Sequence, residues 1–233
     1  MYQAILFDLD DTLLDFAACE TNALKKAFTR SRLDVLDDSI WLKVYTTYKA
    51  ISDQCWSQRS TNNFSRQQII EYSMQHTLST LNYNFANSSN IASMYWDIFC
   101  QTACLNDGVA DTIRFLHHKY KLGIITNGYA DSQRDRIKAS GLANYFQSIV
   151  VSAEVGYAKP ARQIFEIALK DLQVKPDNTL FVGDSIKHDY LGAINAGLDF
   201  CHYQKQKSTR EIDQQPKYTI TLINNVMAIL DGK

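Results

Sequence analysis

Short runs of consecutive apolar residues recur along this chain, and each stops at small polar or acidic residues. Ala4-Ile5-Leu6-Phe7 runs into Asp8, and Leu122-Gly123-Ile124-Ile125 into Thr126-Asn127-Gly128. Ser148-Ile149-Val150-Val151 ends near Ser152, and Thr179-Leu180-Phe181-Val182 at Gly183-Asp184-Ser185. An apolar run without polar alternation marks a strand covered on both faces, as in a parallel sheet. Between the runs lie helix-length segments with apolar spacing near 3.6, such as Ile113, Leu116 and His117, or Ile164, Phe165, Ala168, Leu169 and Leu172. Strand–helix alternation of this kind predicts a parallel sheet wrapped by helices.

The stretch from about Phe16 to Asn106 follows a different rule. It contains no Pro, no Gly and no alternating strand, and it reads as helices over 16–32, 38–58, 65–81 and 91–104. Asp38 or Ser39, Ser65 and Asn90 are the expected N-caps of the last three. The polar link Asn82 to Asn90 reads as a loop, Gln204 to Ser208 as a solvated loop, and Leu222 to Leu230 as a closing helix. The expected organisation is α/β: a Rossmann-like parallel sheet core from 1–15 and 107–233, with an inserted α-helical bundle over 16–106.

Composition narrows the function. Hydrophobic residues make up 45% and charged residues 21%, so 233 residues can bury a core without disulfides. A net charge of −1 points to neither a nucleic-acid nor an anionic-membrane partner. The five cysteines form no CxxC pair and fit a reducing compartment. The opening MYQAILFDLDD has neither a basic start nor a long apolar run, so it reads as no signal peptide or membrane span, and a cytoplasmic protein is expected.

Ligands of open parallel sheets bind outside the carboxyl ends of the strands, where the polar stops of these runs should gather. Asp8 and Asp10 stand two apart, and two neighbouring carboxylates repel unless a cation joins them; magnesium, an oxygen-preferring ion, suits that role. Asp184 can complete a metal site with Asp189 in support. Thr126 and the Asn127 amide can receive phosphate oxygens, and Lys159, beside Pro160, can balance a phosphate and a negative nucleophile.

In this order the motifs resemble those of the haloacid dehalogenase superfamily: Asp8-Leu9-Asp10-Asp11-Thr12, then Thr126, then Lys159-Pro160, then Gly183-Asp184 with Asp189. The helical insert resembles that family's small helical cap. The resemblance implies a phosphatase in which Asp8 attacks phosphorus and Asp10 protonates the leaving oxygen, then activates water. It implies Mg²⁺ held by Asp8, the Asp10 backbone carbonyl and Asp184. Thr126, Asn127 and Lys159 would hold phosphate, with Asp189 acting one shell out. The superfamily's dehalogenases resemble the phosphatases without the second aspartate, so Asp10 favours phosphate chemistry. Lys25 and Lys26, in the insert, correspond in region to the Schiff-base lysine of the phosphonatase branch and read as a solvated helix face.

The segments Thr126-Asn127-Gly128-Tyr129-Ala130-Asp131-Ser132-Gln133 and Lys138 to Leu142, with Ser152 to Pro160, resemble the pyrimidine 5′-nucleotidase branch. The expected partner is therefore a small phosphorylated metabolite, a pyrimidine nucleoside 5′-monophosphate, with no nucleic acid or membrane and a monomer or homodimer as the working unit. Phosphoglycolate and sugar phosphates are the alternative substrates. A phosphotransferase or mutase, a haloacid dehalogenase and a phosphate-binding regulator are the rival classes. All three tryptophans, Trp41, Trp56 and Trp96, fall in the insert with several tyrosines and phenylalanines, and they read chiefly as helix-packing residues.

Overall fold

The computed structural model describes residues 1–32, 37–58, 64–83, 86–205 and 215–232. The chain divides into two compact units, Met1–Ala17 with Ala103–Lys233, and Ala18–Thr102.

In the first unit, six strands among the described residues form one parallel sheet in the order β3-β2-β1-β4-β5-β6. The strands are β1 (Ala4–Phe7), β2 (Lys121–Thr126), β3 (Ser148–Val151), β4 (Thr179–Gly183), β5 (Asp199–Tyr203) and β6 (Tyr218–Ile220). Four match the apolar runs of the sequence. β5 and β6 were not anticipated, because Asp199 and His202 interrupt the apolar pattern of one, and the other is three residues long. The closing helix is also shorter than Leu222–Leu230: a 3₁₀ turn at Ile223–Asn225 precedes an α-helix at Val226–Leu230.

The two faces of the sheet sort by the strand period of two. Ile5, Phe7, Leu122, Ile124, Leu180 and Val182 enter one apolar cluster, whereas Ala4, Leu6, Ile125 and Phe181 enter another. All four β1 residues are fully buried, which explains the unbroken run in the sequence. Burying a side chain such as Phe7 contributes about 2–3 kcal/mol. The order reverses at β1: the chain builds β2 and β3 on one side, then β4, β5 and β6 on the other. A crevice at such a switch point is where ligands of open α/β sheets sit.

After β1 the chain turns at Asp11, which adopts a left-handed φ of 60° that a short polar side chain tolerates. Its carboxylate accepts the Phe16 N–H at 3.2 Å. The outgoing and returning segments meet at a Leu14–Leu105 bridge, and the Asn106 amide donates to the Thr12 carbonyl at 3.0 Å.

The second unit is helical. It comprises most of α1 (Phe16–Arg30), together with α2 (Asp38–Ser57), α3 (Arg66–Thr80) and α4 (Ser88–Cys100). Ser65 caps α3 in a full capping box with Gln68, as its sequence position predicts. Asp37, rather than Asp38 or Ser39, caps α2, since its carboxylate accepts from the Ser39 and Ile40 N–H groups. α4 starts before the expected Asn90 and carries no side-chain cap bond; burial of Ser88 and Ile91 pulls its first turn into the packing. Tyr48, Tyr95 and Phe99 are buried, with Tyr48 and Tyr95 edge to face at 5.9 Å. Residues 84–85 of the expected polar link and residues 206–208 of the expected solvated loop lie outside the described residues. No described helix is long and apolar enough to cross a membrane.

Candidate active site

The site is built at the carboxyl ends of β1, β2 and β4. Asp8 follows β1 directly, and its N–H bonds the Val182 carbonyl of neighbouring β4 at 2.9 Å. Asp8 is 5% exposed as a residue. Burial pushes it well above the usual carboxylate range, and Asp189 and Asp184 push the same way; Lys159 opposes them. The Lys159 ammonium ion-pairs with Asp8 and lies 2.7 Å from Asp189 Oδ1. Burial alone favours a neutral lysine, and the two carboxylates more than reverse this, so Lys159 stays charged.

Asn127 fixes that lysine through its backbone. Its side-chain amide donates to the Lys159 carbonyl at 3.0 Å and accepts the Lys159 N–H at 2.8 Å. The Asn127 side chain is therefore engaged, and the backbone N–H is the group of this residue suited to an oxyanion. Thr126, at the end of β2 and 1% exposed, accepts from Gln133 Nε2 at 2.6 Å. Accepting there leaves the hydroxyl hydrogen available to an oxygen acceptor.

β4 ends at Gly183, then Asp184. A β-carbon at Gly183 would overlap Asp189, with Asp189 Cγ only 2.7 Å away, so glycine makes room for this buried carboxylate. Residues Ile186–Tyr190 form a π-helical turn, a wide turn frequent at functional sites. It brings Asp189 back so that Oδ2 accepts the Ser185 N–H at 3.0 Å while Oδ1 meets Lys159. Asp184 has no ion pair among the described residues. Burial first, then the charges of Asp189 and Asp11, push its carboxyl up to about 7. His202, with no partner evident in the sequence, meets the Asp184 carbonyl through Nε2 at 3.0 Å.

Asp8, Asp184 and Asp189 each offer an oxygen within 4.8 Å of the others. This set suits a divalent cation with oxygen ligands: it is acidic, two members are buried and the third, Asp184, partly so, and Asp184 lacks an ion pair among the described residues. The carboxylate of Asp10 is not in the cluster. Asp8 meets Lys159, and the Asp10 carboxylate meets Arg136.

Two residues that the strand-end reasoning missed hold Asp10. α6 (Ala130–Ala139), which follows α5 (Val109–Leu116) in the chain, turns Gln133 and Arg136 inward three residues apart. Arg136 Nη1 lies 2.6 Å from Asp10 Oδ1, and Gln133 Nε2 lies 2.9 Å from Oδ2. A β-carbon at Gly128 would fall 2.6 Å from the Gln133 amide, so that glycine clears the path. Gln133 lies in the segment that resembles the pyrimidine 5′-nucleotidase branch, which pointed to it without giving it a partner; no such signal marked Arg136.

This fold and site define a hydrolase class, and residues 2–197 match the haloacid dehalogenase-like hydrolase family: the chain belongs to it. It is similar to YfnB of Bacillus subtilis, 29% identical over 231 residues covering 99% of this chain and 96% of YfnB. The magnesium-bound crystal structure of YfnB matches with a TM-score of 0.82 over 99% of both chains. The pyrimidine 5′-nucleotidase YjjG of Escherichia coli is 27% identical, over 97% of this chain and 96% of its own. The pyrimidine 5′-nucleotidase PynA of Streptococcus pneumoniae is 27% identical, over 99% and 95%.

Proposed function

We propose that this hydrolase is a magnesium-dependent phosphomonoesterase that works through an aspartyl-phosphate on Asp8, with pyrimidine nucleoside 5′-monophosphates as its substrates. The observation that carries the reading is the buried Asp8–Lys159 pair at the switch point, with Thr126 and Asp184 at the adjoining strand ends. A carboxylate attacks only when ionised, and burial opposes ionisation; the Lys159 charge works against burial and favours the reactive form of Asp8. Asp8 then attacks phosphorus, the P–O ester bond breaks, and the leaving oxygen takes a proton from Asp10. In the second half Asp10 takes a proton from water, the water oxygen bonds phosphorus, and the Asp8–P bond breaks. Ester and water thus become alcohol and phosphate, with Asp10 protonated again.

Thr126 and the Asn127 N–H receive the non-bridging oxygens, and Lys159 offsets their charge. Asp8, the Asp10 carbonyl and Asp184 would hold Mg²⁺, with Asp189 steadying Lys159 and the Ser185 turn. When bound, the ion supplies positive charge to the transferring phosphoryl group. The substrate class is supported by the Thr126-to-Gln133 segment and by the activity of YjjG and PynA. The helical unit Ala18–Thr102 is proposed as the cap that selects the leaving group, and the cytoplasm as the place of action.

The test is phosphate release from nucleoside monophosphates, sugar phosphates and phosphoglycolate, with magnesium and then with EDTA. Metal-dependent release favouring pyrimidine monophosphates is expected. Metal-dependent release favouring another ester would discard the nucleotidase and keep the phosphatase. Release from no ester would discard both.

A further inference from the structure

A carboxylate serving a leaving group must be aimed, and Asp10 has little of its own to aim it. It sits in the turn after β1, its side chain is 26% exposed, and the residue after it carries a positive φ. What restrains it comes from α6. Gln133 is 2% exposed and Arg136 1%, so both are held in place by packing. Arg136 Nη1 reaches Asp10 Oδ1, and also Gln133 Oε1 at 3.2 Å. Gln133 sends its two amide hydrogens to Asp10 Oδ2 and Thr126 Oγ1. Every polar atom of the Gln133 side chain is therefore assigned, and its orientation follows from the network.

We propose that Gln133 and Arg136 are positioning residues that hold the Asp10 carboxylate in its working orientation and tie it to the phosphate-holding hydroxyl of Thr126. The inference rests on the acid–base role given to Asp10 above. Two contacts on different oxygens fix the plane of the carboxylate. Oδ2 accepts one bond from Gln133 and keeps a second lone pair, so the clamp leaves room there for the proton that Asp10 gives to the ester oxygen and recovers from water. Two features mark this as more than a surface ion pair. An arginine this deeply buried is costly unless its charge is met, and Asp10 meets it. One glutamine also joins the group facing phosphate to the group facing the leaving oxygen. A small displacement of either is therefore felt by both, and misplacing a catalytic group by about 1 Å can cost roughly 10²-fold.

The test compares kcat/KM for an alkyl phosphate, a nucleoside monophosphate, with that for p-nitrophenyl phosphate, whose leaving group departs without a proton. The chains compared are wild type, Asp10→Asn, Arg136→Met, Arg136→Lys and Gln133→Met, with magnesium affinity and thermal unfolding measured alongside. Arg136→Met should lose about 10²-fold on the alkyl ester and about 10-fold less than that on the aryl ester. Gln133→Met should show the same selectivity at about 10-fold, and Arg136→Lys should recover part of the loss. Magnesium affinity should stay within about twofold. Gln133→Met removes no charge and carries the test if Arg136→Met fails to fold. Equal losses on both esters, or none, would overturn the proposal. If Asp10→Asn is selective and the clamp variants are not, the clamp alone fails. If Asp10→Asn shows no selectivity, or wild type hydrolyses neither ester, the parent reading fails and this inference with it.

Discussion

The two compact units bury polar groups for different ends. In the helical unit most are hydroxyls, and two of them serve the helices themselves: Thr77 Oγ1 donates to the Ser73 carbonyl one turn back, and Thr102 does the same to Ile98. The exception, Glu20, is buried with Lys49 3.6 Å away. In the sheet unit Asp8, Lys159, Asp189, Gln133 and Arg136 are all 5% exposed or less, and they converge at one end of the sheet. Buried charge is expensive, and an ion pair is weak evidence for stability. A cluster of it at strand ends marks function, whereas scattered back-bonded hydroxyls mark folding. Substitutions in the first set should therefore move chemistry, and those in the second should move only stability.

The largest break in that contrast is Asp8→Asn. Turnover should fall at least about 10³-fold because the amide is a poor nucleophile. Stability should hold within about 1 kcal/mol, since Lys159 keeps Asp189; steady-state kinetics and a urea melt check both. Lys159→Met comes next. It leaves Asp8 and Asp189 buried without their cation, so activity should fall by about 10²-fold or more and stability by about 3–5 kcal/mol near neutral pH. The stability loss should shrink in acid, where the carboxylates take up protons.

Asp184 gives a pH test of intermediate size. Its folded pKa of about 7 lies above the ordinary value, so the folded state holds a proton that the unfolded state has released. For the metal-free protein this group lowers stability as pH rises from about 4 to 7, and little further above that. A cation needs the ionised form, so magnesium affinity should rise toward pH 7 and level off beyond, by up to about tenfold per unit. Titration calorimetry from pH 5.5 to 8.5 should show this rise, and Asp184→Asn should lose it along with most of the affinity. The smallest effect belongs to the helical unit. Ser65→Ala removes the cap of α3 and should cost about 1 kcal/mol in a denaturant melt, with kcat unchanged.

Much of the fold was legible because burial on both faces leaves an unbroken apolar run, as at β1 and β4. The strand-end residues Asp8, Thr126 and Asp184 were legible for the same reason, since the end of each run places them. β5 was not, because Asp199 and His202 carry polar atoms into a buried strand; His202 answers to the Asp184 carbonyl rather than to solvent. The partnership of Gln133 and Arg136 with Asp10 was missed for a related cause. α6 buries Ser132, Gln133 and Arg136 on its inward face, so the apolar spacing that identifies a packed helix is absent where the helix packs on a polar site. Position along a strand is written in hydrophobicity, whereas partnership between polar side chains far apart in sequence is not.

The most direct test of the central claim is to trap the covalent intermediate. The protein is mixed with magnesium and a phosphate ester radiolabelled in the phosphoryl group, quenched in acid within milliseconds, digested and mapped. The account predicts label on the peptide carrying Asp8, lost in Asp8→Asn and discharged to free phosphate during a chase with unlabelled ester. Turnover of that ester with no label on Asp8 at any quench time, or with label on another residue, would contradict it.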